Sequence, residues 1–144
     1  YDIGDLGTVS ENKSECPCGR DWQTLDRVSG SSTQLFRKRD GTYKNPGYLS
    51  VLIGVEENEG LVKRFQIIQE ESYDVTIQIV LYASDRSTED ECQALLNRIE
   101  KKTRHFFGDG TDVRIEICNE IPPLPSGKFP FFVSRLPPVH LGAP

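Results

Sequence analysis

The residue of this sequence best placed to do chemistry is a lysine at the tip of a proline-rich stretch, Leu124-Pro125-Ser126-Gly127-Lys128. Pro125 fixes its own φ and Gly127 permits a tight reversal, so Lys128 rides as a point charge on a stiff loop. Such a charge suits an anion met only in one conformation of a larger machine. The spacing is not that of a Gly-x-x-x-x-Gly-Lys-Ser/Thr phosphate loop. A merely solvated lysine is the plainer reading of the same residue. At the other end, Tyr1-Asp2-Ile3-Gly4-Asp5-Leu6-Gly7 sets Asp5 in a Gly-flanked turn. There a carboxylate can accept both hydroxyls of a ribose, or simply bond its own backbone.

Two further groupings invite chemistry. Cys16-Pro17-Cys18-Gly19-Arg20 is half of a metal knuckle. Structural zinc takes four ligands, usually as two pairs, and His105 and His140 lie far apart. A structural turn is therefore expected at Cys16 and Cys18, and zinc is not. Arg37-Lys38-Arg39 concentrates positive charge that could serve one small anionic ligand. The chain as a whole carries a formal charge of -5, which argues against a general nucleic-acid or membrane binder. No apolar run approaches the roughly 20 residues of a membrane helix. Cys92 and Cys118 fall at apolar positions, where a thiol packs as a small hydrophobe, so a reducing, cytoplasmic setting is expected. Methionine is absent and the chain opens directly on a motif, so a fragment of a longer protein is expected.

The elements that must position these residues follow from periodicity. Residues 1–33 are rich in Gly, Ser, Asp and Cys, with β-prone pieces only at 6–9 and 25–28. This stretch reads as the end of a larger domain followed by a flexible joint, Ser29-Gly30-Ser31-Ser32. From 34 to 134 an α+β domain is expected. It opens with a hairpin around Asp40-Gly41, followed by a helix capped by Asn45 with Pro46 in first position. Strands follow at 62–70 and 73–82; in the second, Val75, Ile77, Ile79 and Leu81 share a face. Thr88 and Glu91 form a capping box for a helix whose apolar stripe is Cys92, Leu95, Leu96, Ile99 and Phe106. Val113, Ile115 and Ile117 alternate on a last strand. The simplest packing is a three-stranded sheet covered by two helices, then an exposed ordered loop over 121–132 and a loose tail at 135–144.

Taken together, these motifs resemble one family. Tyr1 to Gly7 resembles the Tyr-x-x-Gly-Asp-Leu motif of adenylate-forming enzymes. Cys16 to Arg20 resembles the Cys-Pro-Cys-Gly-Arg element of phenylacetate–CoA ligases and their CapK-like relatives. The hairpin with Asp40-Gly41 resembles that family's hinge-proximal hairpin, and Lys128 its closing lysine. The resemblance implies the C-terminal mobile domain of an acyl ligase. Such an enzyme joins a small carboxylic acid to ATP as an acyl-adenylate, then passes the acyl group to coenzyme A or a carrier thiol. It implies ATP/AMP with Mg, and CoA, bound mainly by an N-terminal adenylating domain that is the chief partner. Carried over by position, Asp5 and Tyr1 meet the nucleotide, and Lys128 bridges carboxylate and α-phosphate. Arg37 and Lys38 meet phosphates of CoA. The family's hinge arginine and aspartate are absent from Gly30-Ser31-Ser32-Thr33-Gln34, and Arg27 is the candidate substitute. Two alternatives stay open: a non-catalytic relative with a structural or regulatory role, and an unrelated small-molecule-binding α+β module.

Overall fold

The computed structural model describes residues 5–11, 18–20, 22–31, 35–82 and 88–137. The chain parts into two compact units, one drawn from residues before 34 and the other from residues 34–138. In the first, β1 (Asp5–Val9) pairs antiparallel with β2 (Leu25–Ser31), and the register slips twice along the ladder. Val9, Leu25 and Val28 remain exposed, as expected of two strands with too little apolar surface to close a core.

The second unit begins with a short hairpin, β3 (Phe36–Arg37) and β4 (Tyr43–Lys44). Its turn needs a glycine: Gly41 has φ +83°, and Asp40 Oδ1 accepts both the main-chain N–H and the hydroxyl of Thr42. Helix α1 (Gly47–Val51) starts one residue later than the sequence suggests, with Pro46 in the cap position. Asn45 still caps the turn, since its Oδ1 accepts the Gly47 N–H at 2.8 Å. α1 then widens into a π-helical turn, Leu52–Glu56, which brings Leu52 and Ile53 into the core.

Strands β5 (Val62–Gln69) and β6 (Val75–Leu81) pair antiparallel, and β7 (Val113–Ile117) lies parallel to β6 after the crossover through α2 (Glu89–Phe107). The capping box forms in both directions: Thr88 Oγ1 accepts Glu91 N–H, and the Glu91 carboxylate accepts Thr88 N–H. Acidic residues in the first turn and Arg104 and His105 in the last complement the helix dipole. Gly108, at φ +82°, stops the helix. Its buried stripe is Leu95, Leu96, Ile99, Thr103 and Phe107; Phe106 is half-buried and stacks on Tyr48 instead.

The sheet has four strands, not three, in the order β7-β6-β5-β8. The added strand, β8 (Phe132–Ser134), runs parallel to β5 along its edge. Phe132, partly buried, packs edge-on against Phe36 of the core and so anchors a segment too short to show a period. One face of the sheet meets α1, the π turn and α2 through Phe65, Ile67, Val75, Ile77 and Ile79. Fully burying each such side chain contributes about 1.5–3 kcal/mol. The alternate residues Ile68 and Val80, with Ile121, are buried apart from that cluster.

Candidate functional site

The loop that carries Lys128 is a strap fixed at both ends. Arg64 and Gln66 lie two residues apart on β5 and so share a face of the sheet. Arg64 donates to the carbonyl of Ile121 at 3.1 Å, and Gln66 Nε2 donates to the carbonyl of Pro130 at 2.8 Å. The Arg64 guanidinium also lies over Phe129, 4.8 Å from the ring centroid, and Phe131 packs on Phe65. Ile121 is buried at the other end. Between the anchors the chain reverses tightly. Leu124 N–H donates to Lys128 C=O at 2.9 Å and Gly127 N–H to Leu124 C=O at 2.8 Å, with Gly127 at φ +79°. That is the pattern of a type I turn closed by a glycine bulge, with Pro125 at the position that favours it. Lys128 stands exposed at its base, and among the described residues no carboxylate pairs with it. A lysine so placed leaves its side chain open to an incoming anion.

The basic hairpin is less free than its sequence suggests. Arg37 stacks its guanidinium on Tyr73, 5.3 Å from the ring centroid, and donates to the Tyr73 hydroxyl at 3.2 Å. Its Nε is buried without an acceptor among the described residues. Lys38 is paired with Asp40 at 3.1 Å. The Thr42 hydroxyl and N–H, with Lys38 behind them, hold the Asp40 carboxyl down to about 2. Arg39 reaches Asp74 at 2.7 Å. A phosphate that is to meet Lys38 at this hairpin must displace Asp40.

The remaining expected site residues belong to the first unit. Asp5 opens β1 with its main chain opposite Ser31, while its side chain lies outside what the structure describes. Tyr1 and Cys16 lie outside the described residues. Arg27 is exposed on β2, opposite Thr8, and Cys18 is exposed beside Gly19. Among the described residues no group of three or more His, Cys, Asp or Glu could hold a metal ion.

Sequence reasoning missed several residues that hold these parts. Gln69 is 2% exposed, and its amide bonds the main chain of Arg37. Tyr73 adopts φ +69° beneath Arg37. Glu57, also buried, accepts from Arg98 Nε at 2.9 Å and from Lys102. Hydrogen bonds from Lys102 and then Arg98 lower its carboxyl below the usual value, against the opposing effect of burial. The one sequence signal for Gln69 was a polar residue closing an apolar run, Ile67-Ile68-Gln69.

A mixed four-stranded sheet backed by one long helix, with a lysine-bearing strap tied to β5, defines a small α+β domain. Residues 36–135 match the family model of the CapK C-terminal domain, and the chain belongs to that family. The comparison with curated proteins gives no match. Among solved structures, one from structural and functional studies of fatty acyl-adenylate ligases from E. coli and L. pneumophila is similar at TM-score 0.57 and 21% identity. It covers 91% of this chain and 20% of that one. A 2-hydroxyisobutyryl-CoA ligase in the postadenylation state, with R3-HIB-AMP, is similar at TM-score 0.51 and 17% identity, over 83% of this chain and 25% of that one. The same ligase in its thioesterification state, with 2-HIB-AMP and CoA, gives TM-score 0.50 and 16% identity, over 92% and 28%. The likeness at these identities is one of fold, and the chain spans between 20% and 28% of the length of these structures.

Proposed function

We propose that this chain is the mobile C-terminal domain of an ATP-dependent acyl-adenylate-forming ligase, and that Lys128 is the lysine it supplies for adenylation. The observation that carries the reading is the exposed Lys128, unpaired among the described residues, on a turn whose strap is pinned to β5 at Ile121 and Pro130. In the first half-reaction a carboxylate oxygen attacks the α-phosphorus of ATP and pyrophosphate leaves. Two anions must approach, and an ammonium group at their junction offsets a repulsion that grows as the bond forms. In the second, a thiol, coenzyme A or a carrier arm, attacks the acyl carbonyl and AMP leaves. The hairpin then faces the site, with Arg37, and Lys38 once freed from Asp40, as the cations that meet phosphate. Asp5, Tyr1 and Arg27 are assigned to the nucleotide, whose Mg belongs with the adenylating domain.

The test is acid-dependent pyrophosphate release by the full-length protein. Lys128→Ala should lower it by on the order of a hundred- to a thousandfold, as for loss of one preorganised donor to developing charge. Release that survives the substitution removes Lys128 from the mechanism. The second reading, a relative without turnover, draws on the missing hinge arginine and aspartate at Gly30-Ser31-Ser32-Thr33-Gln34. It predicts no release from the unsubstituted protein with any acid.

A further inference from the structure

Gln69, at the end of β5, bridges both main-chain groups of a single residue on another element. Arg37 N–H donates to Gln69 Oε1 at 3.0 Å, and Gln69 Nε2 donates to Arg37 C=O at 2.7 Å. A side-chain amide used in this way imitates a neighbouring strand, and it lends β3 ladder bonds that a two-residue strand lacks. The same Oε1 accepts from Ser134 Oγ at 3.3 Å, and the Gln69 carbonyl accepts Arg135 N–H at 2.8 Å. One buried residue therefore holds both the basic hairpin and the end of β8, the strand that continues directly from the lysine strap.

The turn that follows is an independent observation. Glu70 N–H donates to Asp74 C=O and Tyr73 N–H to Glu70 C=O, the same bulged turn as at Lys128. Here the left-handed position is filled by Tyr73 at φ +69°, where a glycine would be unstrained. The tyrosine is retained there with its ring under the Arg37 guanidinium and its hydroxyl accepting from it. Arg39 reaches Asp74 at 2.7 Å and Arg135 reaches Glu70 at 2.6 Å. The first arm of the hairpin, through Arg37 and Arg39, and the residue after β8 thus land on residues 69–74.

We propose that Gln69 is a positioning residue, the shared anchor of the basic hairpin and of the strand end that follows the lysine-bearing strap, so that loss of its side chain loosens both. Its catalytic consequence rests on the proposed ligase function; the coupling itself is a property of this chain. If the two faces serve successive half-reactions, each must arrive at its site in register, and the shared anchor at Gln69 sets both.

Amide hydrogen exchange on the 144-residue chain, read residue by residue, tests the coupling. In Gln69→Leu, the Arg37 and Arg135 amides should exchange at least about tenfold faster, while Ile77 on central β6 keeps its protection. Gln69→Glu keeps an acceptor for Arg37 N–H but sets a second acceptor against Arg37 C=O, so it too should speed exchange at Arg37 and Arg135. Gln66→Leu, which frees only Pro130, should leave the Arg37 amide unchanged. Faster exchange at Arg37 with none at Arg135 overturns the coupling. So does equal acceleration at Ile77 in both Gln69 variants, which would make Gln69 a general stability residue. In the full-length protein, Gln69→Leu should lower kcat for adenylate and thioester formation alike, each about tenfold, with KM for ATP within about twofold. Gln66→Leu should slow adenylation alone, and a Gln69→Leu defect confined to one half-reaction contradicts the proposal. If the unsubstituted protein forms no adenylate, the ligase reading fails while the exchange result still decides the coupling.

Discussion

Replacing Glu57 by Gln tests how the π-helical turn is fastened to α2. The Glu57 side chain is 9% exposed, whereas Arg98 and Lys102 are 40% and 48% exposed. A hydrogen bond to a charged group contributes about 1.5–3 kcal/mol when sheltered, and an exposed ion pair about 0.2–1 kcal/mol. A buried acceptor with half-exposed donors falls between these limits. Glutamine keeps one acceptor oxygen but turns an N–H₂ toward the second cation. The expected cost near pH 7 is thus about 1–2 kcal/mol. The pH dependence sharpens the test. The folded-state pKa of Glu57 lies below the ordinary glutamate value, chiefly through the hydrogen bond from Lys102 and then through that from Arg98. Its contribution is therefore complete above the unfolded value and is lost as pH falls through the lower folded one. Urea unfolding of the two proteins between pH 7 and about pH 3.5 measures the difference; carboxylates common to both, such as Asp40 and Asp74, cancel in it. The probe should be far-ultraviolet circular dichroism, because the single tryptophan, Trp22, belongs to the first unit and Glu57 to the second. A deficit that stays flat across this range, or one below about 0.5 kcal/mol at pH 7, refutes the reasoning.

Other substitutions probe different links. Phe36 is fully buried, stacked on Phe107 at 5.8 Å and edge-on to Phe132 at 6.4 Å, so Phe36→Ala should cost about 3–5 kcal/mol in urea unfolding. Thr88→Ala removes one half of the capping box and should cost about 1 kcal/mol, read by the same unfolding curves. At Gly127 a Cβ would meet nothing within 4 Å, so only the backbone at φ +79° resists a side chain. Gly127→Val should therefore cost about 1–2 kcal/mol if the turn holds its shape. Adenylation should fall alongside, and pyrophosphate release undiminished in this variant would show that the turn geometry at Lys128 does not matter.

Local features were legible from the residue order. Strands β5 and β6, helix α2 with its capping box, and the glycine stop at Gly108 all depend on side chains within a few residues of one another. The hairpin turn was equally clear, since Asp40 and Thr42 bond each other and Gly41 supplies the positive φ. β8 was not. Three residues following a run with prolines at 122, 123, 125 and 130 show no period, and their partner strand ends 65 residues earlier at Gln69. The apolar stripe of α2 was misplaced by one position near its end, because Phe106 and Phe107 are indistinguishable by type. Packing chose Phe107 for Phe36 and left Phe106 to Tyr48.

The candidate site divides along the same line. The sequence by itself determined the lysine turn: Pro125, Gly127 and Lys128 are neighbours, and the hydrogen bonds that close the turn join Leu124 to Gly127 and Lys128. Only the tertiary structure decided what that turn stands on and which charges remain available. Lys38 is held locally by Asp40, but Arg37 is taken by Gln69 and Tyr73, 32 and 36 residues away, and the strap by Arg64 and Gln66, 57 and 64 residues away. A polar side chain does not reveal from its neighbours whether it will face water or a buried carbonyl. That choice is made when the sheet closes and each buried donor must find its acceptor.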